Sequence, residues 1–142
     1  MNKRELLLAA MAAGEGAEHS PVQVQKLLFL IDKNLGAELG ERVFQFVPYD
    51  YGPFDSSLYE VLRELEQSSM ATAVPTVRGW KRYTLSPAGQ QLGQIILQSL
   101  PPRAAKYIAE VSGFVRKLSF AELVSAVYKA YPEMRVNSVF KG

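Results

Sequence analysis

Apolar residues recur along this chain at two periods, and the switch between them outlines the fold. Lys3 to Ala13 is dominated by Leu and Ala, strong helix formers, and Gly14-Glu15-Gly16 stops the run. Ser20-Pro21 then opens a second helix, Ser as cap and Pro at the first helical position. Apolar positions 24, 27, 28 and 31 keep helical spacing there, and Phe29 and Leu30 widen the stripe enough to predict a central helix ending near Asn34-Leu35-Gly36. Residues 36–54 lack either period. They gather Phe44, Phe46, Tyr49, Tyr51 and Phe54 around Pro48, Gly52 and Pro53, with Val43 to Val47 readable as a short strand or an extended segment. A third helix follows, with Asp55 as its expected cap and Leu58, Val61, Leu62 and Leu65 as its buried stripe. Ser57, Glu60, Arg63, Glu64 and Gln67 face out.

The period then changes to two. Met70 to Pro75 and Trp80 to Leu85, joined by Thr76-Val77-Arg78-Gly79, read as a β-hairpin. Ser86-Pro87 starts a helix with Leu92, Ile95 and Ile96 on one face, and Pro101-Pro102 breaks the chain. A long stripe over Ala104, Tyr107, Ile108, Val111, Phe114, Val115 and Leu118 predicts the next helix. Ser119 and Glu122 form a capping box for the last one, whose stripe runs over Phe120, Leu123, Val124, Val127, Tyr128 and Tyr131 to Pro132. The expected fold class is α+β, mainly helical: a winged helix-turn-helix core over residues 1–100, with its wing at about 70–85, and a two-helix C-terminal extension over 101–142.

Two segments carry a family likeness. Tyr83-Thr84-Leu85-Ser86-Pro87-Ala88-Gly89 resembles the place in winged-helix regulators where the last wing strand turns into the next helix. Gly89 there permits close packing. Pro21-Val22-Gln23-Val24-Gln25-Lys26-Leu27-Leu28-Phe29-Leu30, then Phe46-x-Pro48-Tyr49-Asp50-Tyr51-Gly52-Pro53-Phe54 and Leu58-Tyr59, resembles the SocA-like (Panacea) antitoxin domain. The likeness is closer to small YwgA-type uncharacterised bacterial proteins, and Val127-Tyr128-x-x-Tyr131-Pro132-Glu133 with Asn137-Ser138 extends it over most of the chain. The resemblance implies a cytoplasmic prokaryotic protein of defence or toxin–antitoxin context, without catalytic residues.

Composition narrows the chemistry. The 142 residues suit one domain, and at that size about two-thirds of the unfolded surface can be buried without a disulfide or metal staple. There is no cysteine and one histidine, His19, which excludes thiolate chemistry, multi-histidine metal sites and a histidine-based triad elsewhere in the chain. An enzyme is not expected, and no metal or cofactor. His19 itself reads as an exposed residue at a helix start. Gly14-x-Gly16 lacks the strand and third glycine of a phosphate loop and reads as a linker. The N-terminal run loosely mimics a signal peptide but is short, and Glu15 and Glu18 follow it, so an uncleaved cytoplasmic helix is expected. No apolar run approaches a membrane span.

Charge divides the chain. Residues 1–71 hold six basic and eleven acidic side chains, a net of −5, and residues 72–142 hold ten and three, a net of +7. The third helix, Asp55–Ser68, carries four acids against Arg63 and would repel phosphates. The wing is the better DNA-binding candidate, with Arg78, Lys81 and Arg82 beside Trp80 and Tyr83; Ser56, Ser57 and Arg63 are weaker ones. Arg103, Lys106, Arg116 and Lys117 read as a solvated helix face that could extend a DNA footprint or meet an acidic surface of a second copy. Tyr49, Asp50 and Tyr51 form a candidate pocket, or else a tight turn whose aromatics fill a gap between helices. The two late helices must bury their stripes on the core or in a homodimer. The expected function is therefore a DNA-binding or defence-associated regulatory protein using its basic wing, and the alternative is an antitoxin- or adaptor-like protein-interaction module that binds a protein partner and no DNA.

Overall fold

The structure, a computed structural model, describes residues 1–40 and 42–140. Among them the order is α1 (Lys3–Ala12), α2 (Pro21–Leu35), β1 (Val47–Tyr49), β2 (Gly52–Phe54), α3 (Ser57–Gln67), β3 (Ala71–Pro75), β4 (Lys81–Leu85), α4 (Pro87–Ser99), α5 (Pro102–Lys117) and α6 (Phe120–Ala130). A short 3-10 turn follows at Pro132–Arg135. The fold is α+β and mainly helical, with two separate two-stranded antiparallel sheets, β1–β2 and β3–β4.

Helix starts are set by side-chain caps. Asn2 with Glu5, Ser20 with Gln23, and Ser119 with Glu122 each form a complete capping box. Ser86 accepts from the Gly89 amide, and its own hydroxyl donates to the Ser69 carbonyl at 2.7 Å, tying α4 to the base of the hairpin. At α3 the cap position falls to Ser56 rather than Asp55, but the capping work stays with the carboxylate. Asp55 Oδ1 accepts from the Ser57 amide at 2.9 Å and Oδ2 from the Gln45 amide at 2.6 Å.

The core is one cluster drawn from every helix except α4, which packs on it through partly buried side chains. α1 is buried all round from Leu6 to Ala12, and α2 is central as expected, burying nine of its side chains. The closest neighbour of α1 is α4, which meets it through glycine. A Cβ on Gly93 would collide with the Ala12 methyl and lie 2.6 Å from the Leu8 carbonyl oxygen, and a Cβ on Gly89 would collide with the Met70 carbonyl. The expected α4 face holds at Leu92 and Ile96 and is corrected at Ile95. Ile95 is exposed, while Gly89 and Gly93 are buried and Leu92 and Ile96 are partly so. Glycine scores as weakly apolar, so the sequence pattern placed the face on the isoleucines.

α5 and α6 bury their stripes on the rest of the domain. Ala104, Ile108, Val111 and Val115, and then Leu123, Val124, Val127 and Tyr128, all join the same cluster. Phe114 and Phe120, expected in those stripes, stay exposed. The hairpin forms where expected, and its register runs from Ala71 opposite Leu85 to Pro75 opposite Lys81. Its inner strand has a second partner: His19 N–H donates to the Tyr83 carbonyl and Tyr83 N–H to the His19 carbonyl, both at 2.9 Å.

That pairing overturns the reading of His19 as exposed. The residue is fully buried, and neither ring nitrogen makes a well-formed hydrogen bond with a described residue. Burial, reinforced by the positive charge of Arg116, lowers its pKa from 6.5 to about 4, against a smaller opposing pull from the Ala17 carbonyl. Arg116 is correspondingly not on a solvated face: it is half-buried beside Gly14 and His19.

Candidate functional site

Two surfaces combine chemistry with accessibility. The first is the β3–β4 hairpin. Its turn is closed by the Thr76 amide and hydroxyl donating to the Trp80 carbonyl at 2.9 and 2.7 Å, and Gly79 supplies the left-handed φ of 91° that the turn requires. Tyr83 and Leu85 point inward and Arg82 takes the opposite face of β4, while Lys81 is exposed at the start of the strand and Arg78 in the turn. The Arg82 guanidinium lies over the Trp80 ring, 5.5 Å from its centroid. Val74 and Val77 are exposed beside them, so the tip is apolar as well as basic.

Two of the three hairpin cations face acids of the other half of the chain. Lys81 Nζ is 4.0 Å from Glu66 and Arg82 is 3.9 Å from Glu18, while Arg103 reaches Glu38 at 2.8 Å. The opposite charges of the two halves therefore meet within one chain. All three pairs are solvent-exposed and contribute little to stability.

The third helix holds the weaker candidates. Ser56 is exposed. Ser57 is engaged: its hydroxyl donates to Asp55 at 2.7 Å and accepts from Lys3 Nζ at 3.0 Å. Arg63 is exposed on the outer face, with Glu60 and Glu64 beside it, and Glu64 pairs with Arg4 at 3.0 Å. The structure thus groups Arg78, Lys81 and Arg82 on one hairpin and puts Ser56 and Ser57 against a separate broad groove, lined also by Lys3, Arg42 and Tyr49.

The second surface surrounds Tyr49, Asp50 and Tyr51. These residues lie on the β1–β2 ribbon, in which Tyr49 pairs with Gly52 across a tight turn. Gly52 has φ 107°, which favours glycine. Tyr49 stacks on Phe54 at 4.6 Å, and Tyr51 meets the Phe120 ring edge-on at 5.1 Å. The ribbon is fastened by the C-terminal segment: Val139 N–H donates to the Asp50 carbonyl at 2.9 Å, Ser138 Oγ to the same oxygen at 3.3 Å, and Asn137 Nδ2 to the Pro48 carbonyl at 3.3 Å. On α2, Gln25 holds the other end, donating to the Asp55 carbonyl at 3.0 Å and accepting from its amide at 2.9 Å.

Under this ribbon lies a chamber of about 160 Å3 whose walls include Val22, Tyr49, Tyr51, Phe54 and Tyr59. Lys26 also lines it, a residue the sequence pattern gave no reason to single out. It stands opposite the 24-27-28-31 stripe, where a two-faced helix would put it in water, but the ribbon and α6 cover that side. Lys26 is 3% exposed, and its ammonium makes no hydrogen bond or ion pair with any described residue. Burial lowers its pKa from 10.5 to about 8. At neutral pH the chain therefore holds a mostly charged, unpaired ammonium at a stability cost. Replacing Lys26 with Met is expected to raise unfolding stability at pH 7 by about 1–3 kcal/mol, read by urea denaturation. The gain should shrink as pH rises from 8 towards 10.5, because the folded form then sheds the proton that the unfolded chain keeps.

Among the described residues no group of three or more His, Cys, Asp or Glu could hold a metal ion, and no helix is long and apolar enough to cross a membrane. No protein-family model and no curated protein sequence matches the chain.

Proposed function

We propose that the chain is a non-enzymatic, antitoxin- or adaptor-like interaction module of the SocA-like kind, whose hairpin docks on an acidic protein partner. The observation that carries this reading is the make-up of the hairpin tip. Val74, Val77 and Trp80 are exposed together with Arg78, Lys81 and Arg82. Tryptophan and arginine beside aliphatic side chains are the composition of interface anchors, while the cations select a negative surface. The acid of α3 that meets the hairpin, Glu66, would face phosphates if a duplex lay along both elements, and the rest of that helix adds Glu60 and Glu64 against Arg63.

DNA binding through a winged-helix core is the second reading, favoured by the three cations on one projecting hairpin. A homodimer belongs to either reading; α5 and α6 do not need it to bury their stripes, though exposed Phe114 and Phe120 leave room for one.

Titration with generic duplex DNA separates the two. At ~50 mM salt the chain is expected to leave the duplex unbound at concentrations of about 10 µM. Micromolar binding that weakens steeply with salt and is lost in an Arg78/Lys81/Arg82 triple alanine variant would instead establish the DNA reading. The triple variant should fold normally, because the ion pairs it removes are exposed. A partner isolated from the host must bind wild type, lose binding to Trp80→Ala and to the triple variant, and keep binding to Lys117→Ala.

A further inference from the structure

The Lys26 chamber is unconnected with the hairpin and calls for its own account. Its floor is one ammonium, held against the ribbon turn: a Cβ on Gly52 would lie 3.5 Å from both Cε and Nζ of Lys26. Its walls are mainly apolar or aromatic, and the rim carries the exposed phenols Tyr49 and Tyr51. An ordinary lysine would carry its ammonium out to water along an apolar stem. Here the ribbon closes over the stem, and no carboxylate among the described residues pairs with the head.

We propose that this chamber is a binding site for a carboxylate carried on an apolar body, with the Lys26 ammonium as its counter-ion and the Tyr49, Phe54 and Tyr59 rings as its walls. A single cation matches a single negative charge. A phosphate dianion would need more, and among the described residues no second cation lines the chamber. The volume of about 160 Å3 admits a group the size of a benzoate or a terminal aromatic residue and excludes a nucleotide. The same chemistry has two sources, a free small monocarboxylate and the terminal carboxylate of a peptide, and both would use the same contact.

Two further features agree. Gly52 leaves the Lys26 head uncovered, and it approaches the Tyr128 ring so closely that a Cβ would sit 3.3 Å from it. The groups facing the chamber from the elements around it are Tyr49, Asp50 and Tyr51 on the ribbon and Tyr59 on α3; Tyr128 of α6 lies behind Gly52. None of them offsets the effect of burial on the ammonium. A bound carboxylate would do so, and its affinity should therefore fall about tenfold per pH unit above the free-protein value of about 8.

The test uses the full chain and four probes: benzoate, an acetylated tripeptide ending in a free phenylalanine carboxylate, its C-terminal amide, and inorganic phosphate. Amide NMR shifts at Gly52 and Tyr51 follow each titration. One or both of the carboxylates should saturate in the millimolar range, and the amide and phosphate should not. Binding by benzoate alone identifies a free carboxylate as the occupant, and binding by the tripeptide acid identifies a chain terminus. Lys26→Met should weaken binding at least ~10-fold. Because that variant is expected to be more stable than wild type, the loss could not come from unfolding. The inference falls if no carboxylate binds below about 10 mM. It falls equally if affinity survives Lys26→Met, if the amide or phosphate binds as well as the acid, or if affinity is flat from pH 7 to 10. None of these outcomes depends on the hairpin, so failure here leaves the proposed function standing.

Discussion

Gly93→Ala should destabilise the protein by about 2–3 kcal/mol, although alanine is the better helix former by about 1 kcal/mol. The reason is the way α4 lies on α1. The added methyl would meet the Ala12 methyl and the Leu8 carbonyl oxygen, and the second of these, at 2.6 Å, is backbone that cannot rotate away. The helices must separate, and a separation here is felt across the tightly buried Leu6–Ala12 surface. Gly113→Ala is the matched control. Gly113 also lies within a helix, α5, but a Cβ there would meet nothing within 4 Å. That substitution should stabilise by about 0.5–1 kcal/mol. Urea midpoints of the two variants should therefore move in opposite directions. Equal shifts would show that the α1–α4 contact is looser than the glycine geometry requires.

The second large effect is acid lability centred on His19. The folded chain holds the imidazole neutral, with its pKa lowered to about 4, whereas the unfolded chain titrates near 6.5. Between those values the unfolded state binds the extra proton, so stability falls as pH falls through that window and no further effect is due above it. The full drop from this one group is about 3 kcal/mol. The charged groups near it are Arg116, which adds to the penalty, and Glu18 next in sequence, which is drawn towards Arg82. His19→Leu keeps the volume and removes the titration together with two buried nitrogens that make no well-formed hydrogen bond with a described residue. Wild type and variant should diverge progressively below pH 6.5 in thermal melts, with the variant the more stable at pH 4.5. Parallel curves across that range would show that the imidazole does not stay neutral in the folded chain.

Local chemistry made most of the fold readable. The Ser20, Ser86 and Ser119 caps, the stripe of α3 and the hairpin turn depend on residues within about four positions of one another, the hairpin strands pair across at most 14, and each falls where the pattern puts it. What escaped needed tertiary knowledge. His19 reads as polar and exposed until β4 arrives to pair with its backbone. The β1–β2 ribbon is three residues a side and rich in proline, too short to show alternation. Part of the α4 face was hidden because its closest contact with α1 is Gly93, which registers as a gap in a hydrophobic pattern. The same limit governs the sites. The basic cluster on the hairpin was legible because its members lie within five positions. The chamber was half legible: its rim, Tyr49 to Tyr51, is a visible motif, but its floor is a lysine on a different helix. Lys26 and Gly52 sit in the two stretches that carry the family resemblance, and only the fold shows that these stretches touch.

The fastening of the ribbon by residues 137–139 also bears on how the protein is made. The hydrogen bonds from Asn137 to Pro48 and from Ser138 to Asp50 join positions 89 and 88 residues apart. A ribosome adding about 5–20 residues per second needs roughly 5–18 s to cover that distance. For that interval the aromatic ribbon and the Lys26 ammonium are already synthesised but lack the strap that fastens the ribbon. The capped helices and the hairpin can form in sequence as they emerge, whereas the chamber is assembled last, when the strap leaves the exit tunnel.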